Sequence, residues 1–280
     1  MSRLDSPAHP LKGVHVVTLA INLPGPLAAA RLTDLGASVT KVEPPTGDPV
    51  SAVVPSWYRE LTAGQRVMTL DLKKSVDRAT LDSELAGADL LVTAMRPSAL
   101  RKLGLADPTR THRRLSHVEI VGHDGAKEEL AGHDLTYQAV HGTLQPPAMP
   151  TVPVADFLGA ERAVSAALLA LMLTAVSGVG QHHRVVLEHA AAAAGAAVRH
   201  GLMGDGGPLG GADAAYGIYA SADGHVALAA LEPHFRTRTC QALGVEGHRE
   251  EIANVFATRS TAEWEELAER WDIPLVGIRS

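Results

Sequence analysis

A strand, a helix and a second strand succeed one another within residues 14–43, and this run limits the fold more than any other stretch. VHVVTLA (14–20) is rich in β-branched residues and reads as a strand. In the following NLPGPLAAARLTDLG, Pro24, Gly25 and Pro26 punctuate the turn, Pro26 suits a first helical turn, and Gly36 stops the helix. SVTKVE (38–43) alternates as a strand does. Such a βαβ unit implies parallel strands and a right-handed crossover. Further strands are expected at 67–72, 89–94 and 117–122, with helices at 76–85 and 96–105. The fold class is therefore α/β, a Rossmann-like doubly wound parallel sheet. The PPTGDP loop (44–49) falls at the carboxyl end of the second strand, where open α/β sheets place ligands.

No dinucleotide fingerprint accompanies this pattern. GxGxxG between strand and helix, GxxxxGK[ST] and GxSxG are all missing, which disfavours NAD, a P-loop nucleotide and an α/β-hydrolase serine. MGDGGPLGGAD (203–213) follows an Ala-rich helix and reads as a flexible linker. Beyond it, residues 216–221 and 225–231 flank a turn at Asp223 and Gly224 and read as a hairpin. Helices are expected from Pro233 to about Leu243, at 249–256 and at 261–271. Two domains result: 1–200, and a smaller α/β domain at 201–280.

Composition narrows the function classes. Lys plus Arg number 25 against 31 Asp plus Glu, a formal net charge of −6, so no global field favours nucleic acid. Cys240 is the single cysteine, which rules out an internal disulfide framework and fits a reducing, cytoplasmic setting. The opening MSRLDSPAHP lacks the apolar core of a signal peptide. Residues 163–180 carry no charge, but their Ala, Ser and Gly content and the flanking Glu161 and Arg162 suit a buried helix of a soluble core, not a membrane span.

The chemistry-bearing residues gather in 131–160, AGHDLTYQAVHGTLQPPAMPTVPVADFLGA. It offers an imidazole (His133), a carboxylate beside it (Asp134), a phenol (Tyr137) and a second carboxylate (Asp156). Pro146, Pro147, Pro150 and Pro153 force the intervening segment to run extended. Asp156 then opens a long apolar helix, either as its cap or beside a substrate anion that shares the helix N-terminus. Two titratable groups of different type meet the needs of two-base proton transfer. The 14 histidines raise the question of a metal. Without HExxH or a Cys cluster, and with His182 and His183 adjoining in what reads as a loop, no metal site is expected. Glu232 stands at a strand-to-helix junction, a position that is usually a cap.

Taken together, these blocks resemble the class III CoA-transferases, in particular the α-methylacyl-CoA racemase branch. NLPGPLAAARLTDLGASVTKVEPPTGDP is similar to the family's opening signature, and TLDLK, DLLVTAMRPSALRKLGL, AGHDLTYQAVHG, PVADFLGAERAVSAALLALM, SGVGQ and ASADGHVALAALEPHF follow in the family's order. The resemblance implies Asp156 as acid/base in a racemase or nucleophile in a transferase, His133 as the opposing base, and Glu232 as its partner. It places CoA contacts on Pro24, Lys41 and Arg96, with Asp134 and Tyr137 also in the substrate set. The implied reaction inverts the α-centre of a 2-methylacyl-CoA by proton transfer between two faces, with CoA as part of the substrate and no separate cofactor. A CoA-transferase working through an aspartyl-CoA intermediate is the alternative, and a non-catalytic CoA-binding relative a third. The family implies a homodimer. The chain is shorter than such racemases, and it reads AGQR and RPS, with Ser98, where relatives carry more basic or Gly-containing turns.

Overall fold

The computed structural model describes residues 9–279; residues 1–8, which hold most of the opening segment read above, and Ser280 lie outside the described residues. The chain forms two compact units, Met1–Ala194 and Gly195–Ser280, a division slightly upstream of the one expected at 200.

In the first unit β1 (His15–Thr18), α1 (Pro24–Asp34), β2 (Ser38–Glu43), α2 (Pro49–Val53), α3 (Pro55–Leu61), β3 (Arg66–Thr69), α4 (Ser75–Ala86), β4 (Leu90–Thr93), α5 (Pro97–Lys102), β5 (Ser116–Val121), α6 (Asp134–His141), α7 (Val154–Ser177), β6 (His182–Val186) and α8 (Leu187–Ala194) follow in order. The six strands form one sheet in the order β3-β2-β1-β4-β5-β6, and every pairing is parallel. This is the doubly wound order, whose reversal between β1 and β4 opens a crevice at the carboxyl edge. Alternation along each strand divides the core between two faces. Val16, Val39, Leu90, Val92, Val118 and Ile120 join α1 and α7 on one side. Val17, Val42 and Leu91 join Leu81, Leu85 and Leu100 of α4 and α5 on the other. Fully burying such a side chain contributes about 1.5–3 kcal/mol, so a sheet covered on both faces holds its strand ends in place.

The long helix α7 is long and apolar enough to cross a membrane by length and composition, with mean hydropathy 1.5 over its most apolar window. Its small residues explain how it packs instead. Ala155, Gly159, Ala163, Ala167 and Ala170 recur at helical spacing and are buried. Gly159 admits no side chain, since a Cβ there would lie 2.3 Å from Leu187 Cδ2. The expected burial therefore holds for one face only; Met172 and Val176 on the other are 69% and 90% exposed.

Two expectations need correcting. His182 and His183 lie in β6, the sixth strand, not in a loop. Their strand carries few apolar residues because its partners are polar: Arg184 Nε donates to buried Glu119 at 2.9 Å, and the ring of His182 stacks on that of His117 at 5.0 Å. The segment read as a flexible linker is tied down, with Arg249 Nη2 donating to the carbonyls of Gly211 and Asp213 at 2.6 and 2.7 Å.

In the second unit α9 (Ala196–Arg199) precedes the hairpin β7 (Tyr216–Ala220) and β8 (His225–Ala229), then α10 (Pro233–Leu243), α11 (Arg249–Phe256), α12 (Thr261–Trp271) and β9 (Leu275–Gly277). The antiparallel sheet β7-β8-β9 packs its apolar face on Ile252, Phe256, Trp264 and Leu267.

Candidate active site

The carboxyl edge of the first unit's sheet holds two cavities, one of ≈ 240 Å³ and one of ≈ 540 Å³, which share Ile21, Ala94 and Met95 as lining. Their walls come from the segments following β1, β4 and β5 in the first case and β1 to β4 in the second. The smaller one collects Pro24, Arg96, His133, Tyr137 and Asp156. Four separate turns of chain thus bring the expected groups to one place.

His133 precedes α6 with an extended backbone (φ −141°, ψ 165°). Thr136 fixes that position through its hydroxyl, which accepts from the His133 amide at 3.1 Å and donates to the His133 carbonyl at 2.7 Å. The backbone is held locally, and the exposed imidazole is left to the cavity.

Asp134 points the other way. Its buried carboxylate accepts from the amides of Ala155 at 2.7 Å and Asp156 at 3.3 Å, and from the side-chain amide of Gln138. Gln138 also donates to the carbonyl of Val152 at 3.0 Å, which pins the proline-rich loop between α6 and α7. Asp134 is therefore the cap of α7, supplied from the preceding helix, and its place among substrate contacts finds no support in this geometry. Through its carboxyl Asp156 accepts no backbone amide hydrogen bond among the described residues. Its carboxyl lies in the first turn of α7, and burial first, then the charge of Asp134, pushes it up to about 7. A carboxyl so placed exchanges a proton near neutrality, as an acid/base group must.

Tyr137 is 2% exposed. Its phenol fits beneath two glycines: a Cβ on Gly122 or Gly132 would lie 2.3 or 2.7 Å from the hydroxyl oxygen. The edge of His123 packs on the ring at 5.2 Å, and Nδ1 of that histidine is hydrogen-bonded to Glu188 at 2.6 Å. Gly-His-Asp occurs at 122–124 as well as at 132–134, a repeat that marks the pair of glycines serving this one tyrosine.

Among the cationic groups, Arg96 is exposed at the cavity and forms no ion pair among the described residues. Lys41 departs from the expectation. It is 0% exposed in the middle of the sheet, its Nζ held by Glu43 Oε1 at 2.9 Å and by Asp48 Oδ2. Tyr58 closes this cluster by donating to Glu43 at 2.8 Å. The lysine thus anchors the PPTGDP loop, and its charge is already neutralised. Glu232 stands exposed in the second unit, immediately before α10. In that unit Glu246, His248 and Glu251 bring donor atoms within 4.8 Å of one another at the surface, but Glu251 already accepts from the Glu246 amide.

Comparison with known proteins agrees with this architecture. Residues 11–280 match the model of CoA-transferase family III. The chain is 29% identical to alpha-methylacyl-CoA racemase of Mus musculus over 91% of its length and 74% of the racemase. It is 30% identical to succinate–glutarate CoA-transferase of Agrobacterium fabrum over 88% of its length and 69% of the transferase. Among solved structures it superposes on a CAIB/BAIF family protein of Brucella suis with a TM-score of 0.81 and 25% identity, covering 97% of this chain and 84% of that one. A hypothetical protein of Mycobacterium tuberculosis shares the fold, with a TM-score of 0.82 at 22% identity over 98% of this chain and 86% of the other. The chain belongs to CoA-transferase family III.

Proposed function

We propose that the chain binds an acyl-CoA thioester at this edge and inverts its α-centre, moving the α-proton between His133 and Asp156. The observation that carries the reading is that an imidazole and a carboxyl poised near neutrality line one cavity. Deprotonating one face and reprotonating the other calls for two groups held at fixed positions, which local bonding of both backbones supplies. The larger, mostly apolar cavity beside it offers room for the extended thiol arm and adenine of CoA, with Lys73 and Arg96 as cations for its phosphates. The thioester supplies the acidity of the α-proton, and the reading invokes no cofactor beyond the CoA of the substrate. It rests on the first unit alone.

The second reading, a CoA-transferase, takes its support from the transferase relative at 30% identity. In it Asp156 attacks an acyl-CoA, releases the CoA thiolate and forms a mixed anhydride; the thiolate then attacks the aspartyl carbonyl of that anhydride, giving an aspartyl-CoA thioester and releasing the first acid as its carboxylate. Attack requires the ionised carboxylate, which burial of Asp156 disfavours below about pH 7. This is why the proton-transfer reading stands first.

Incubating a single-isomer 2-methylacyl-CoA with the protein in deuterated water separates the two. The isomerase reading expects deuterium at the α-carbon and loss of optical purity without a second acid. The transferase reading expects no exchange, and an Asp156 adduct trapped by hydroxylamine when acyl-CoA is added.

A further inference from the structure

Deprotonation next to a thioester places negative charge on the carbonyl oxygen, and a site for that reaction must present a donor to it. The start of α7, the natural place for such donors, is already saturated. The amide of Val154 donates to Val152 O at 2.9 Å and that of Phe157 to Pro153 O at 3.1 Å, while those of Ala155 and Asp156 both go to Asp134. The expectation that a substrate anion shares this helix end is therefore not met.

The wall of the same cavity holds a donor of another kind. Tyr137 is 2% exposed yet lines the cavity, and its hydroxyl makes no hydrogen bond among the described residues. The ring is buried while the hydroxyl oxygen is not among the buried polar atoms that lack a partner, so the hydroxyl opens into the cavity and is available to a ligand. Arg96 and Asn22 are also donors in the cavity wall, but both are exposed side chains and neither is enclosed as the Tyr137 ring is. The phenol is also rigidly aimed, its ring confined by Gly122, Gly132 and the edge of His123.

We infer that the Tyr137 hydroxyl donates to the carbonyl oxygen of the acyl thioester and stabilises the charge that oxygen gains as the α-proton leaves. The assignment rests on the acyl-CoA reading of this cavity. Burial, and then the nearby carboxylates of Asp156, Glu188 and Asp134, push the phenol up to about 12, so it keeps its proton and acts as a donor throughout the working range. No proton leaves Tyr137 in the cycle. The α-proton goes to His133 or Asp156, and the phenol only shares its hydrogen.

Tyr137→Phe tests this, since the ring keeps its place between the glycines and no internal hydrogen bond is lost. Thermal stability should match the parent, while kcat for α-deuterium exchange falls on the order of 100- to 1,000-fold with little change in KM, the usual effect of deleting one oxyanion donor. Exchange at the parent rate overturns the inference and leaves the isomerase reading intact. Calorimetry decides the matter independently of turnover, using an acyl-CoA thioester and the matching S-alkyl-CoA thioether, which lacks the carbonyl. The parent should prefer the thioester, and Tyr137→Phe should lose that preference while binding the thioether equally well. An equal preference in both proteins overturns the inference. Failure of the parent to bind either ligand overturns both it and the acyl-CoA reading.

Discussion

Asp134 caps the helix on which Asp156 stands, its carboxylate accepting from the amides of Ala155 and Asp156 at 2.7 and 3.3 Å. One contact thus sets both the position of α7 and the second-largest influence on the Asp156 carboxyl. Asp134→Asn keeps the shape and removes the charge. Its expected effects are a loss of about 1 kcal/mol of stability from the weaker cap and a fall in the Asp156 pKa that still leaves it above the ordinary carboxylate range, because burial remains. Carbon-detected titration of the Asp156 carboxyl measures the second effect; an unmoved pKa would refute the coupling.

Asp156 also gives stability a defined pH dependence. Its pKa rises from 3.8 to about 7 on folding, so the folded state binds the proton more tightly than the unfolded one. The contribution is fully present below about 3.8 and is lost as pH rises through about 7. Asp156→Asn, neutral at every pH, should therefore gain on the parent between pH 4 and 9. Urea midpoints across that range check it, and a constant difference would contradict it.

The opposite slope is expected from His117, which is fully buried between Thr93, Glu119 and His182, with Arg184 beyond them. Burial first, then the neighbouring His182, lowers it from 6.5 to about 4. The stability it permits is present above pH 6.5 and lost as pH falls toward 4, on the order of 3 kcal/mol in all. His117→Gln should flatten the acid limb of the stability profile, measured by thermal melts from pH 4 to 7.

Gly132 is expected to tolerate no side chain. A Cβ would lie 2.4 Å from Tyr137 Cε1, and the ring has Gly122 and His123 on its other sides. Gly132→Ala should cost about 1–3 kcal/mol by overpacking. Combined with Tyr137→Leu it should cost clearly less than the sum of the single changes, as a double-mutant cycle in urea would show.

Lys41 separates structural from ligand-binding roles. Lys41→Met leaves Glu43 and Asp48 buried without their cation, and stability should fall by roughly 3–5 kcal/mol. A variant that stays as stable as the parent and loses only CoA affinity would restore the lysine to the binding set.

Much of this architecture can be read from local signals. The helices α10, α11 and α12 fall where expected; Pro233 opens α10, and the Ser260 hydroxyl caps α12 by accepting from the Glu263 amide, because such signals act within one turn of the chain. β6 escaped because its polar side chains are matched by Glu119 and Asp124, which arrive from elsewhere in the sequence. β9 escaped because it is only three residues long. In the site, His133 and Asp156 were legible from residue type and from the stiff loop between them. The work of Asp134 was not, since its amide partners lie 21 residues ahead. Nor was the burial of Lys41, which depends on two carboxylates converging through the fold.

The opening of α1 has a consequence for how a polyanion could be held. Pro24 and Pro26 carry no amide hydrogen, and Gly25 is pressed so close to the segment just after β1 that a Cβ would lie 2.1 Å from that of Ala20. The helix end that cradles diphosphate in dinucleotide folds is here short of donors. Any phosphate at this edge must be neutralised by exposed side chains such as Arg96, in a chain of formal net charge −6. Their pull is screened over about 8–10 Å at ordinary ionic strength, so capture of a phosphate-bearing ligand should weaken steadily as salt is added.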